Sequence, residues 1–212
     1  MRKTNTARIV TIATALAMTL GLTTGTQAAS LIVAPSSNSL LGADGVDIDG
    51  TLYDVRFKDG RCDVLFGSSQ FGGCDAASTF DFTTSTEALA AADALLGQVF
   101  LDLNPSQPYD SISGLTSGCG TDRCYVIIPF AVTGNELVHA RAYNWSSGTF
   151  NEDSTEILSS SFLRTFDTGF NLGYTYATFT AAIVPLPAAG WMLISGLGAF
   201  GLMRRLRRWS AR

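Results

Sequence analysis

The sequence is poor in the side chains that most often carry catalysis. It holds one histidine, His139, in 212 residues. A metal site built from several histidines is therefore excluded, and any Ser-His-Asp triad would have to pass through this one residue. No Gly-x-Ser-x-Gly elbow accompanies it. His139 lies between Val138 and Ala140 in a strand-like stretch and reads as a half-exposed structural histidine. The four cysteines, Cys62, Cys74, Cys119 and Cys124, include no CxxC pair. In an exported chain they read as two disulfides rather than four zinc ligands, which leaves no thiol nucleophile. Their spacing favours the local pairing Cys62–Cys74 and Cys119–Cys124, with the other two connectivities open.

Basic residues are scarce too once the ends are set aside. The chain has 14 Lys and Arg against 18 Asp and Glu. Eight of the basic residues lie near the termini: Arg2, Lys3, Arg8, Arg204, Arg205, Arg207, Arg208 and Arg212. Between them six basic residues face all 18 acidic ones, a balance of −12. Such a body repels nucleic acid. No repeat period appears, and nothing calls for a cofactor.

What is present starts with two terminal segments. Residues 1–28 have a basic start, an apolar run from Ile9 to Leu22 and a small-residue stretch ending Thr26-Gln27-Ala28. This is the layout of a secretory signal peptide cut after Ala28. An uncleaved N-terminal anchor fits less well, because a 14-residue run is short for a span. At the other end, residues 184–212 open on Val184-Pro185-Leu186-Pro187-Ala188, continue as an apolar run to Met203, and close on Arg204, Arg205, Arg207 and Arg208. A helix over 188–203 rises about 24 Å, short of a ~30 Å hydrocarbon core, and snorkelling arginines extend its reach. The arginines hold the C-terminus in the cytoplasm and leave the body outside. Residues 29–183 are then one exported domain, large enough to bury roughly two-thirds of its unfolded surface.

Within that domain, apolar and charged residues alternate strictly over Tyr53–Lys58, as in a half-buried strand. Asp59-Gly60 predicts a two-residue hairpin turn with a return strand Arg61–Phe66, which places Phe57 opposite Cys62. Ser78–Thr83 predicts a short strand. Thr84 with Glu87 forms a capping box for a helix that runs to Leu103, with a stripe of Leu89, Ala92, Leu96, Val99 and Leu103, stopped by Asn104-Pro105. Tyr125–Val132 is an apolar strand whose Pro129 demands a bulge or an edge. Gly134-Asn135 turns into a strand over Glu136–Trp145, with Leu137, His139, Arg141 and Tyr143 on one face and Val138, Ala140 and Ala142 on the other. Residues 146–160 read as a polar loop with a helical turn near Thr155-Glu156-Ile157. Ser161–Thr165 and Phe170–Ile183 complete the sheet. The expected fold is α+β: a mostly antiparallel meander of six to eight strands with one helix packed on it. A small β-sandwich with an inserted helix is the alternative.

Three stretches invite chemistry. Asp44, Asp47 and Asp49 alternate with glycine and apolar residues, a spacing that can ring calcium, although no EF-hand loop is completed and Asp-Gly is also ordinary turn material. Asn144-Trp145-Ser146 matches a glycosylation sequon but reads as a surface turn. The aromatics Tyr53, Phe57, Phe66, Tyr174, Tyr176 and Phe179 alternate as core residues do, rather than as a carbohydrate platform. Among 18 acids some pair can always converge for glycoside hydrolysis, and the sequence singles out none.

The tail resembles the PEP-CTERM sorting signal of Gram-negative bacteria in its VPLPA-CTERM variant: Val184, Pro185, Leu186, Pro187 and Ala188, then the Gly-rich apolar span, then the arginine cluster. Leu186 stands where the commonest form has glutamate. The resemblance covers residues 184–208. It implies export, anchoring in the inner membrane with the domain in the periplasm, and recognition by an exosortase, a membrane-embedded transpeptidase. Processing then leads to the cell surface or exterior, in association with exopolysaccharide or biofilm matrix. The Gly50–Gly60 segment and the Ala/Leu helix are also similar to domains found ahead of such tails, and they bring no activity with them. The expected function is that of a non-enzymatic surface or matrix protein; the alternative is an exported hydrolase acting on glycans through a carboxylate pair.

Overall fold

A computed structural model describes residues 28–67, 74, 80–146 and 152–183. The expected signal peptide up to Gln27 and the whole expected sorting tail from Val184, with its Val184–Ala188 motif and its arginines, lie outside the described residues. No helix among the described residues is long and apolar enough to cross a membrane.

Among the described residues the architecture is α+β, with one seven-stranded, mostly antiparallel sheet and one long helix. β1 (Ser30–Val33), β2 (Leu40–Ile48) and β3 (Thr51–Lys58) form one antiparallel run. β6 (Arg123–Thr133), β7 (Glu136–Trp145) and β8 (Ser154–Leu163) form another. The last strand, β9 (Tyr174–Ala181), inserts between the two runs, antiparallel to β3 and parallel to β6. The order is therefore β1-β2-β3-β9-β6-β7-β8, two meanders joined by the final strand rather than one continuous meander. A short β4–β5 ribbon (Asp102–Asn104, Gln107–Pro108) stands apart.

The Asp-Gly hairpin forms ten residues earlier than expected. β2 and β3 are joined at Asp49-Gly50, whose φ angles of 51° and 84° suit a type I′ turn. At Asp59-Gly60 the chain enters the short helix α1 (Cys62–Leu65) instead of a return strand. Tyr53, Val55 and Phe57 pair with Ala181, Phe179 and Ala177 of β9, not with residues 62–66, and Val64 is 70 % exposed. The backbone groups that a hairpin would use are already bonded. Gly60 N–H donates to the Thr168 hydroxyl (3.0 Å), Thr168 N–H donates to the Gly60 carbonyl (3.0 Å), and the Thr168 hydroxyl donates to Asp59 (3.0 Å).

The helix α2 spans Ser85–Gln98 and starts with the expected capping box at Thr84 and Glu87. It ends five residues early, and Leu103 is exposed. Its buried face is Ala88, Ala91, Ala92 and Leu95, while Leu89 and Leu96 are only half-buried. Alanines let the helix axis lie close on β6 and β7, so the larger leucines are pushed to the flanks. Gln98 closes the helix by gripping the backbone of Asp47 at both its N–H (2.9 Å) and its carbonyl (2.7 Å).

Two other segments depart from expectation. Phe80–Thr83 is not a strand; there the Asp81 carboxylate accepts the Phe179 N–H at 2.8 Å. Thr155–Ile157 is neither loop nor helical turn, because β8 starts at Ser154 in register with Tyr143. β8 is an edge strand rich in serine, threonine and glutamate, which is why the stretch reads as loop. The bulge at Pro129 is present, as a register shift between Pro129 and Ala131.

The main core lies between the sheet and α2, and contains Leu40, Val46, Val55, Val99, Val126 and Ala177. A second cluster covers the opposite face of the sheet, with Ile127, Leu137 and Tyr176 under Phe66, Phe80 and the Cys62–Cys74 bridge. Both local disulfides form, with Cα–Cα distances of 5.9 Å for Cys62–Cys74 and 5.5 Å for Cys119–Cys124.

Candidate functional site

His139 is fully buried rather than half-exposed. The alternation of β7 points it, with Leu137, Arg141 and Tyr143, away from α2. Its ring stacks on Phe162 at 5.4 Å. Arg141 Nη2 stands 3.4 Å from His139 Nε2, and His139 Nδ1 stands 3.4 Å from the Leu137 carbonyl. A guanidinium only donates, so Nε2 accepts and Nδ1 carries the proton. Burial first, and then the Arg141 charge, depress the histidine to about 4. It is a neutral, oriented core group with no opening to a substrate.

Arg141 sits in an aromatic box. Its guanidinium carbon lies 5.3 Å from the Tyr143 and Phe162 ring centroids, 5.5 Å from Tyr125 and 5.8 Å from Tyr174. Glu156 reaches it at 4.0 Å, and the Arg141 side chain is 9 % exposed. A desolvated cation on ring faces gains on the order of 2 kcal/mol. The rings that a carbohydrate platform would need are therefore turned onto an internal cation or into the core. Phe57, Phe66, Tyr176 and Phe179 are all buried.

The three carboxylates proposed for calcium from their spacing do not converge on one point. Asp44 pairs with Arg56 at 2.8 Å. Asp47 accepts the Gly50 N–H at 2.8 Å as part of the hairpin turn, and Asp49 is the first residue of that turn. Asp47 and Asp49 border an open cleft of about 620 Å³ between the β2–β3 hairpin and the end of α2, beside Ala28 and Ala29. Its walls are mainly apolar or backbone, and no group of three or more His, Cys, Asp or Glu with metal-site spacing exists among the described residues.

The sequon residue Asn144 is not in a surface turn. It is fully buried on β7, and its Nδ2 donates to the Tyr109 carbonyl at 2.8 Å. This end of the sheet also brings together two acids that carried no sequence signal. Asp153, just before β8, accepts the Trp145 N–H at 2.7 Å. Asp153 is pushed up to about 6, by burial first and then by the neighbouring Asp110 charge. Asp110 follows the β5 ribbon and Asp153 follows the 146–151 segment. Only the Tyr143–Ser154 register makes them neighbours, and that register was hidden while 154–160 read as loop.

No family model, no curated protein and no solved structure matches this chain, so its functional reading rests on its own residues.

Proposed function

We propose that the chain is an exported, non-enzymatic surface or matrix protein whose body is delivered to the cell exterior by exosortase-type processing of its tail. The observation that carries this reading is how closely the folded unit fits between the two terminal segments. β1 begins at Ser30, two residues past Ala28, and β9 ends at Ala181, three residues before Val184. Ile183 is 94 % exposed, so the chain leaves the sheet into solvent where the Pro185 and Pro187 segment begins. Both removals would therefore spare every strand among the described residues. The chemistry of the body supports the same reading, since the one histidine is buried and all four cysteines are bridged. The acidic body suits a solvated exterior, with exopolysaccharide as the class of neighbour.

The test is intact mass of the exported protein from an exosortase-bearing host and from one lacking that enzyme. Loss of the residues beyond the Val184–Ala188 motif in the first host alone is expected. Identical masses would refute processing and leave a plain membrane anchor. Turnover of surface glycans by the purified protein, lost on substituting one Asp or Glu, would overturn the non-enzymatic assignment.

A further inference from the structure

Asp-Gly occurs three times in the chain, at Asp44-Gly45, Asp49-Gly50 and Asp59-Gly60. Each pair carries the same latent chemistry. The glycine amide nitrogen can attack the preceding side-chain carboxyl carbon and close a five-membered imide, because glycine has no Cβ to shield the nitrogen or to restrict the turn. The attack needs two things at once. The carboxyl must be free of other partners, and a base must stand ready to take the amide proton. The three pairs are alike in sequence, and the fold treats each differently.

At Asp59-Gly60 both reacting groups are taken. Thr168, 1 % exposed, accepts the Gly60 N–H (3.0 Å) and donates its own proton to Asp59 Oδ1 (3.0 Å). That oxygen also rests against Gly118, where a Cβ would stand 2.5 Å from it. At Asp44-Gly45 the amide does meet a carboxylate, with Gly45 N–H on Asp54 Oδ1 at 3.2 Å. The Asp44 carboxylate, however, is held by the Arg56 guanidinium at 2.8 Å and must leave it before the nitrogen can reach its carbon. Asp49-Gly50 alone meets both needs. Its amide N–H lies on Asp47 Oδ1 at 2.8 Å, which places a carboxylate base at the proton that has to go. Asp49 is exposed at the tip of the β2–β3 hairpin, and its carboxylate has no hydrogen bond or ion pair among the described residues.

We propose that Asp49 is a site of spontaneous isomerisation to isoaspartate, with Asp47 as the base that promotes it and Thr168 as the guard that spares Asp59. The Gly50 nitrogen bonds to Asp49 Cγ. The amide proton passes to Asp47 and from there to the hydroxyl departing from the Asp49 carboxyl, which leaves as water. Water then adds to the backbone-side carbonyl of the imide, its bond to the Gly50 nitrogen breaks, and the chain now runs through the Asp49 side chain. One water leaves and one returns, so no other reactant takes part. Isoaspartate lengthens the backbone at the tip by a methylene, and the type I′ turn closed by Gly50 on Asp47 is lost. The change falls where Gln98 grips the Asp47 backbone, beside the cleft that Asp47 and Asp49 border.

The test ages the exported protein, purified in mild detergent from an exosortase-deficient host, for several weeks in warm neutral buffer. Peptide mapping with fragmentation that separates isoaspartate from aspartate locates the product, with the urea-unfolded chain aged in parallel. In the unfolded chain the three pairs isomerise alike. In the folded protein Asp49 accumulates isoaspartate while Asp44 and Asp59 stay near their starting level. Asp47→Asn keeps an acceptor for the Gly50 N–H but is no base, and it slows Asp49 by about 10²-fold, the lower end for a positioned base. A turn that was merely loosened by the substitution would speed the reaction instead. Thr168→Val releases Asp59, which then isomerises, and leaves the rate at Asp49 unchanged. Isoaspartate spread evenly over the three pairs of the folded protein, or absent from Asp49, overturns the site without recourse to a variant. An unchanged or faster rate at Asp49 in Asp47→Asn overturns the role of the base, and a silent Asp59 in Thr168→Val overturns that of the guard.

Discussion

Acid should unfold this protein through His139. In the unfolded chain a histidine titrates near 6.5, whereas burial and the Arg141 charge hold this one at about 4 when folded. Between those values the unfolded state binds a proton that the folded state refuses. The contribution of His139 is therefore fully present above pH 6.5 and is lost as pH falls towards 4. The gap corresponds to about 3 kcal/mol, or about 1.4 kcal/mol for each pH unit inside the window. The residue is fully buried, so solvent screening does not reduce that figure appreciably. Burial is the larger cause, and the geometry adds to it: a proton placed on Nε2 would face the guanidinium that now donates to it. The perturbation is His139→Gln, which keeps an acceptor for Arg141 and does not titrate. Urea unfolding of both proteins at pH 7, 5.5 and 4.5 measures the difference in slope. Asp59 and Asp81, raised by burial, add stability on acidification, but equally in both proteins, so they cancel in the comparison. Wild type should lose ground steadily relative to the variant. Parallel curves across the window would refute the reasoning.

Three further outcomes are expected. Gly42→Ala destabilises by about 3 kcal/mol in chemical unfolding, because its Cβ would stand 2.0 Å from the Val55 carbonyl oxygen, at a φ of 154° in β2 where it pairs with β3. Thr84→Ala removes the capping box and costs about 1 kcal/mol, visible as a lower thermal midpoint with unchanged helix content. Replacing Cys62 and Cys74 together by serine costs about 3 kcal/mol and replacing Cys119 and Cys124 about 2, since the closed loops differ as 12 to 5 residues. Equal losses in urea unfolding would contradict the loop-entropy account.

Much of this protein was legible in local pattern. The Thr84–Glu87 capping box, the Pro129 bulge, the two faces of β7 and the short cysteine pairings each depend on residues close in sequence, whose physics is settled within a turn or a strand. The α+β class follows from the same signals. Tertiary structure alone decided between the two Asp-Gly pairs. Both favour a tight turn equally, and only Thr168, more than a hundred residues away, occupies the backbone of the second. It also decided which helix face is buried, because the sheet selects the small alanines that allow close approach over the larger leucines that a periodic stripe suggests. The placing of Asn144 and Asp153 was the least legible of all. It arises where an edge strand of serine, threonine and glutamate finds its register against β7, and nothing local marks that register in advance. What the sequence determined by itself was local form, since short-range interactions suffice for it. The pairing of distant strands came only with the complete fold.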